Sequence, residues 1–180
     1  LSISSYMSKL SMSVFEDLLA DEKIKAEYKK TFLLNVFKKI VTKMKNDKSI
    51  ATSIKQLFKQ STNKQITTIA VVRNYLQYEM TMPEAELMYT WFDAYFKKSD
   101  RRVGFKQDFK QELYDKQKGL CAVCGEPLSK DFSKNHVDHI IPWTLVGDEL
   151  PNNYQFRCSC CNEYKSSHID YIFKSLINLD

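Results

Sequence analysis

The sequence has few glycines, no long apolar run, and no cysteine before residue 121. No apolar stretch approaches the roughly 18 residues that a bilayer-spanning helix needs, and the first ten residues lack the basic and apolar segments of a secretory leader. We therefore expect a cytoplasmic, intracellular protein with no membrane partner. All five cysteines lie between Cys121 and Cys161, and such clustering favours a metal site over a disulfide framework.

The first hundred residues contain no glycine, and their apolar residues recur at helical spacing with no competing strand pattern. Ser13 and Glu16 form a capping-box pattern ahead of a short amphipathic stretch, and Thr81, Pro83 and Glu84 open another helix. The predicted apolar faces are Leu33, Phe37, Ile40 and Met44; Ile50, Ile54, Leu57 and Phe58; Ile69, Val72 and Leu76; and Met88, Trp91, Phe92 and Tyr95. We expect these faces to pack into a small helical bundle.

The polar segment 97–104, which ends in a glycine, predicts a boundary between a helical domain at 1–100 and a second domain at 101–180. A lead-in helix should follow this boundary, with its apolar face at Phe105, Phe109 and Leu113 and its end near Gly119. A last apolar helix is predicted at Ile169, Ile172, Phe173 and Leu176. The sequence thus predicts a mainly α protein: an N-terminal bundle, a small cysteine-containing module and a C-terminal helix.

The net charge of +5 arises entirely within the first hundred residues. This excess favours a polyanionic partner but also suits plain solubility. Residues 22–48 carry nine lysines against three acids, so they form either a solvated helix face or a surface that follows a DNA backbone. Arg73, Asn74 and Gln77 form the one local cluster suited to reading bases. The helices could instead bind a protein partner or a second copy of the chain as a homodimer.

Two C-x-x-C pairs, Cys121 with Cys124 and Cys158 with Cys161, are separated by a segment long enough to fold back. Two such knuckles can present four thiolates to one Zn²⁺, and a module this small needs a structural metal ion to stabilise its fold. Redox dithiols or disulfides are the alternatives. Cys160 would form a cramped C-x-C with Cys158, so we expect it to be an unliganded neighbour.

Between the cysteine pairs, NHVDHIIPW predicts one strand and NNYQFRC a second, which leads into the helix that starts with CNEYK. The pattern C-x-x-C, D-H-I-x-P and N-x-x-x-x-C-x-x-C-N-x-x-K resembles the HNH endonucleases of the ββα-metal fold, in their four-cysteine zinc form. The resemblance spans Cys121 to Lys165. It implies that His139 is the general base, that Asn153 orients it, and that Asp138 and Asn162 hold the catalytic ion. Asn162 stands where the family name has its last histidine.

The expected reaction is hydrolysis of DNA, with double-stranded DNA favoured by the resemblance alone. An imidazole can take a proton from water near neutral pH, and oxygen ligands favour Mg²⁺ or Mn²⁺ over Zn²⁺ at the second metal site. The resemblance also suggests a role in restriction or phage defence. The alternative function is a non-catalytic zinc adaptor that binds nucleic acid or a protein.

Four basic side chains near the motif have weaker assignments. Lys165 and Arg157 are candidates for phosphate contacts, although each is equally compatible with a solvated surface charge. We expect a structural or supporting role for His136, two residues before Asp138 on the same strand. His168 lies past the motif and is expected to be a surface or packing residue.

Overall fold

The structure is a computed structural model that describes residues 22–165, with the backbone alone described at 23, 24, 164 and 165. The capping box at Ser13 and Glu16, the side chain of Lys165, His168 and the predicted C-terminal helix lie outside the described residues. Within the described part, the prediction of a mainly α chain with a small ββα module is confirmed. None of the helices there is both long and apolar enough to cross a bilayer.

From residue 22 onward, where the structure is described, four helices form the N-terminal bundle. They are α1 (Glu22–Asn46), α2 (Lys48–Gln60), α3 (Lys64–Leu76) and α4 (Met82–Lys97). The predicted apolar residues of α1 are buried, as are Ile54 and Phe58 of α2 and Met88, Trp91 and Phe92 of α4. Leu57 departs from the prediction because it is 46% exposed; it lies on the solvent side of α2, whose buried face follows Ile54 and Phe58.

Local capping sets where these helices begin. Asp47 accepts hydrogen bonds from the backbone N–H groups of Ser49 (2.8 Å) and Ile50 (3.4 Å) at the start of α2. Asn63 starts α3 in the same way, by accepting from the N–H of Ile66 at 2.9 Å. These bonds satisfy donors that a helix cannot pair internally, so the short connections between helices are fixed by polar side chains.

The second part of the chain contains the predicted lead-in helix and the strand, strand, helix order. The elements are α5 (Gln107–Lys116), β1 (Asn135–His139), α6 (Trp143–Val146), β2 (Tyr154–Cys158) and α7 (Ser159–Lys165). The strands pair antiparallel, with His139 opposite Tyr154 and Asn135 opposite Cys158. Phe105 lies before the first turn of α5, and the short helix α6 in the strand connection was not predicted.

Two clusters of buried side chains hold the fold together. The smaller includes Leu113, Phe132 and Phe156 together with Cys121 and Cys161. The larger is the bundle core, and it also contains Ile141, Leu145 and Val146 from the loop between β1 and β2. The strand connection therefore packs into the core of the helical bundle, across the boundary predicted from the sequence near residue 100.

Candidate active site and zinc centre

The four cysteines of the two C-x-x-C pairs converge at one point. The sulfur atoms of Cys121, Cys124, Cys158 and Cys161 all lie within 4.8 Å of one another, and those of Cys124 and Cys158 are 3.8 Å apart. Four convergent sulfurs on two knuckles form a donor set that fits tetrahedral Zn²⁺. Cys160 is exposed and lies outside this cluster.

Backbone N–H groups point at the thiols of this cluster. Burial raises the pKa of Cys121, but hydrogen bonds from the backbone at Cys124, Cys158 and Val123 lower it by a larger amount. The resulting pKa is about 7. The N–H of Cys161 similarly approaches the sulfur of Cys158 at 3.5 Å. Such donors favour the thiolate form, which is the form that binds a metal.

The predicted residues Asp138, His139 and Asn162 all line one cleft of about 440 Å³. Asp138 and His139 are the last two residues of β1, and α7 carries Asn162 to the same cleft immediately after Cys161. His136 also lines this cleft, and its Nε2 lies 3.2 Å from the hydroxyl of Ser159. The fold therefore brings together three side chains that are up to 24 positions apart in sequence.

Neighbouring strand residues project to opposite sides, so Asp138 and His139 have different surroundings. The carboxylate of Asp138 lies 2.9 Å from Nε of Arg157 and accepts a hydrogen bond from the side-chain amide of Gln155 at 3.2 Å. Arg157 is only 2% exposed and does not line the cleft. This buried position indicates that Arg157 holds Asp138 in place. It argues against the phosphate contact that the sequence suggested for Arg157.

His139 lies on the aromatic side of the hairpin. Its ring is 4.9 Å from the ring of Tyr154 and 6.2 Å from that of Phe105, measured between centroids. Its Nε2 lies 2.8 Å from Oδ1 of Asp148, and both side chains are largely buried. Asp148 was not predicted from the sequence, because an acid in a loop nine residues after His139 gives no spacing signal that distinguishes it from a solvated charge.

Asp148 is surrounded by hydrogen-bond donors. Burial raises the pKa of its carboxyl, but hydrogen bonds from His139, the N–H of Val103 and the indole of Trp143 lower it, and the resulting pKa lies below the usual range. Trp143 Nε1 donates to Oδ2 at 3.0 Å and the Val103 N–H donates to the same oxygen at 3.1 Å. The hydroxyl of Tyr154 lies 3.3 Å from Oδ1, and burial together with the charge of Asp148 raises the pKa of Tyr154 to about 12.

Asn153, predicted to orient His139, makes its side-chain contacts elsewhere. Its amide oxygen accepts from the N–H of Ile141 at 2.8 Å and its amide nitrogen donates to the carbonyl of Ile141 at 3.0 Å. The backbone carbonyl of Asn153 also accepts from the N–H of Ile140. Asn153 is buried and fixes the chain directly after His139, so any influence on the ring acts through the backbone.

Two basic residues that sequence analysis did not select line the cleft. Arg102 comes from the segment after α4, and its guanidinium carbon lies 5.1 Å from the centre of the Trp143 ring. Lys110 comes from α5. Arg73, which was considered for reading bases, instead forms an exposed ion pair with Glu79 at 2.6 Å. Arg102 and Lys110 lie outside the cysteine-bounded motif, which is why motif spacing could not identify them.

Comparison with known proteins agrees with this geometry. Residues 121–168 match the family model described as HNH endonuclease, which confirms the predicted resemblance and identifies an HNH endonuclease domain in this part of the chain. The match covers about a quarter of the sequence and leaves the helical bundle, α5, Arg102 and Lys110 outside it. No curated protein and no solved structure matches the chain. An HNH domain indicates a nuclease-type function with a nucleic-acid partner.

Proposed function

We propose that this protein is a metal-dependent DNA endonuclease that hydrolyses phosphodiester bonds in the cleft that His139 lines. The observation that carries the proposal is the meeting of Asp138, His139 and Asn162 around one cleft, within the segment that matches the HNH endonucleases. A purely structural zinc module would have no need for a histidine and two oxygen ligands at a shared opening.

In this proposal His139 is the general base. Imidazole changes its protonation state near neutral pH, and a ring with a fixed orientation can accept a proton from the water that attacks phosphorus. His139 lines the cleft, and its Nε2 is engaged by Asp148. The surrounding rings of Tyr154 and Phe105 restrict its movement. Asn153 supports the same geometry by holding Ile141.

Asp138 and Asn162 are the proposed ligands of the catalytic ion. Both offer oxygen, a hard donor that suits Mg²⁺ or Mn²⁺ better than Zn²⁺, and both line the cleft that His139 lines. A bound divalent ion would neutralise charge on the phosphate oxygens and on the leaving 3′ oxygen. Arg157 keeps the carboxylate of Asp138 in place through their ion pair. Zn²⁺ is proposed at the four cysteines alone.

Arg102 and Lys110 are proposed to bind substrate phosphates, because both are cations at the edge of the cleft. Lys165 remains a candidate for the same task from its sequence position, whereas the burial of Arg157 argues against it. Double-stranded DNA is the proposed substrate, and a role in restriction or phage defence rests on the family resemblance alone. Homodimer formation through the N-terminal helices remains a proposal from their composition.

The test is nicking and linearisation of plasmid DNA by the purified protein with Mg²⁺, with Mn²⁺ and with EDTA. We expect cleavage only with a divalent ion, and we expect His139→Ala to abolish it while the protein stays folded and keeps its zinc. His168→Ala, which changes a histidine outside the motif, should cleave at the wild-type rate. In the same assay, Arg102→Gln combined with Lys110→Gln should raise KM more than it lowers kcat.

Three other results would change the proposed assignment. Full cleavage by His139→Ala would refute the assignment of the base. DNA binding by the zinc-loaded wild-type protein, with no cleavage under any ion condition, would favour the non-catalytic adaptor. Cleavage of RNA in preference to DNA would correct the substrate class. The proposed hydrolysis does not itself depend on whether the sugar carries a 2′ hydroxyl.

A further inference from the structure

A buried carboxylate that is not one of the quoted motif residues contacts the proposed base. Asp148 lies in the loop between β1 and β2, and four donors surround it: the His139 ring, the Trp143 indole, the Val103 N–H and the Tyr154 hydroxyl. Its side chain is 12% exposed. A carboxylate with this many donors is held in one position, so it can in turn fix the position of the histidine.

The loop that carries Asp148 is anchored in the helical bundle. Leu145 and Val146, which come shortly before it, belong to the bundle core. Gly147 lies between them and Asp148 with φ of +62°, and a Cβ there would lie 2.6 Å from Cβ of Lys98, just after α4. The loop therefore packs against the end of α4 so closely that only glycine fits.

The segment that follows α4 also reaches Asp148 directly. Val103 donates its backbone N–H to Oδ2 across 45 positions of sequence. Lys98 donates to the carbonyl of Thr144 at 3.3 Å and thereby ties the start of α6 to the same end of the bundle. The position of the Asp148 carboxylate is thus set in part by a hydrogen bond from Val103, which lies outside the HNH family match.

We propose that Asp148 is the positioning residue for His139, and that the helical bundle acts through this loop to set the orientation and tautomer of the base. An ionised carboxylate can only accept a hydrogen bond, so Nε2 of His139 must carry the proton in this pair. The lone pair then lies on Nδ1, which is the nitrogen that accepts the proton from water. This inference rests on the proposed function and assigns the bundle a part in it.

The first test is Asp148→Asn in the intact, zinc-loaded protein. An amide has nearly the shape of the carboxylate but can donate to Nε2, which moves the ring proton to Nδ1 and removes the base. We expect kcat for plasmid cleavage to fall roughly 10²- to 10⁴-fold, as in serine protease triads given the equivalent change, with KM within about threefold of wild type.

The tautomer itself provides a readout that a merely structural role would not change. The chain has three histidines, so ¹⁵N-histidine labelling gives few signals, and His139→Ala identifies those of His139. We expect the wild-type ring to carry its proton on Nε2 and the Asp148→Asn ring to carry it on Nδ1. The same tautomer in both proteins, or an unchanged kcat, would refute the positioning role.

The second test addresses the bundle. Gly147→Ala forces a side chain against Lys98 without changing any residue of the cleft, whereas Gly104 has open space around it and tolerates the same change. We expect the Gly147→Ala protein to fold and bind zinc, with kcat at least about tenfold lower and a weaker signal from the Nε2 proton. The control Gly104→Ala should match the wild type in all of these measurements. A folded Gly147→Ala protein with wild-type kcat and tautomer would refute the coupling.

These measurements separate the inference from the proposed function. The NMR comparison needs neither DNA nor a catalytic ion, so a wild-type protein that never cleaves would refute the nuclease assignment while the Asp148 pair is still judged on its tautomer. Cleavage that depends on His139 but is unaffected in Asp148→Asn would preserve the nuclease and overturn the inference alone.

Discussion

Single buried charges at the cleft are held by specific partners. The guanidinium of Arg157 is almost fully buried and lies beside Asp138, and a buried charge is tolerated only when it is paired. Removing one partner of such a pair generally costs about 3–5 kcal/mol because the other charge is left without compensation. Arg157 therefore holds the Asp138 carboxylate in place, and Asp148 makes a similar close contact with the His139 ring.

The zinc centre yields a prediction at single-residue scale. Cys124→Ser removes one of four converging sulfurs, whereas Cys160→Ser changes an exposed thiol outside the cluster. We expect Cys124→Ser to lower bound zinc well below one ion per chain and to lower Tm by roughly 5–10 °C, because zinc binding stabilises the folded module. Metal analysis and thermal unfolding measure the two effects.

Cys160→Ser is the matched control and should keep wild-type zinc content and Tm. Equal zinc content and stability in Cys124→Ser and in the wild type would contradict the four-cysteine staple.

The Glu84 side chain of α4 both caps the start of its own helix and contacts α1. Glu84 accepts the backbone N–H of Thr81 at 2.7 Å, which completes the start of the helix. Its other oxygen lies 3.1 Å from Nζ of Lys29 on α1. Burial raises the pKa of Glu84, but the Thr81 N–H and Lys29 together lower it by a larger amount. The pKa of Glu84 therefore lies below its ordinary value.

This shift predicts a pH dependence for the link between α1 and α4. A carboxyl with a lowered folded pKa stabilises the fold above its unfolded pKa, about 4.3 for Glu, and loses that contribution as pH falls through the folded value. Glu84→Gln keeps a residue compatible with the capping box but removes the charge. We expect it to lower the free energy of unfolding by about 1 kcal/mol at pH 7.

Urea unfolding of wild type and Glu84→Gln at pH 7 and near pH 3.5 measures this difference, which should shrink at the lower pH. The matched control is Glu86→Gln, at an exposed position on the same helix. A difference between wild type and Glu84→Gln that is the same at both pH values would show that the charge of Glu84 contributes nothing.

At the scale of the whole molecule, the strand connection joins the bundle to the nuclease module. Ile141, Leu145 and Val146 are buried with Phe37, Trp91 and the other core residues of the bundle. Asp148 and Lys98 add polar bonds across the same junction. A shared core of this kind makes the two parts unfold together rather than one after the other.

Leu145→Ala tests that cooperativity. Truncating a leucine that is 5% exposed should cost roughly 2–5 kcal/mol, through lost burial and a cavity. We expect helix content by circular dichroism and zinc release to a chelating dye to shift together to lower denaturant. Leu120→Ala, at a leucine that is 42% exposed, should shift neither probe appreciably. Loss of zinc at a concentration of denaturant that leaves the helices intact would instead show two independent units.

The sequence alone determined the features that depend on local spacing. Helical periodicity predicted the bundle faces, the two C-x-x-C pairs predicted the sulfur cluster, and D-H followed by the two asparagines predicted the HNH resemblance. These features are readable because each arises from residues a few positions apart, or from two short motifs with fixed internal spacing. Leu57 shows the limit of periodicity, since an apolar residue at the edge of a face can be exposed.

Tertiary structure alone decided which charges line the cleft and which side chain contacts His139. Asp148 meets the N–H of Val103 across 45 positions, and Arg102 and Lys110 reach the cleft from outside the motif. Arg157 is buried beneath Asp138 rather than facing solvent, and Asn153 holds backbone rather than the His139 ring. Burial and long-range contact depend on how the hairpin loop packs into the bundle, and residue spacing within a strand or helix carries no information about that packing.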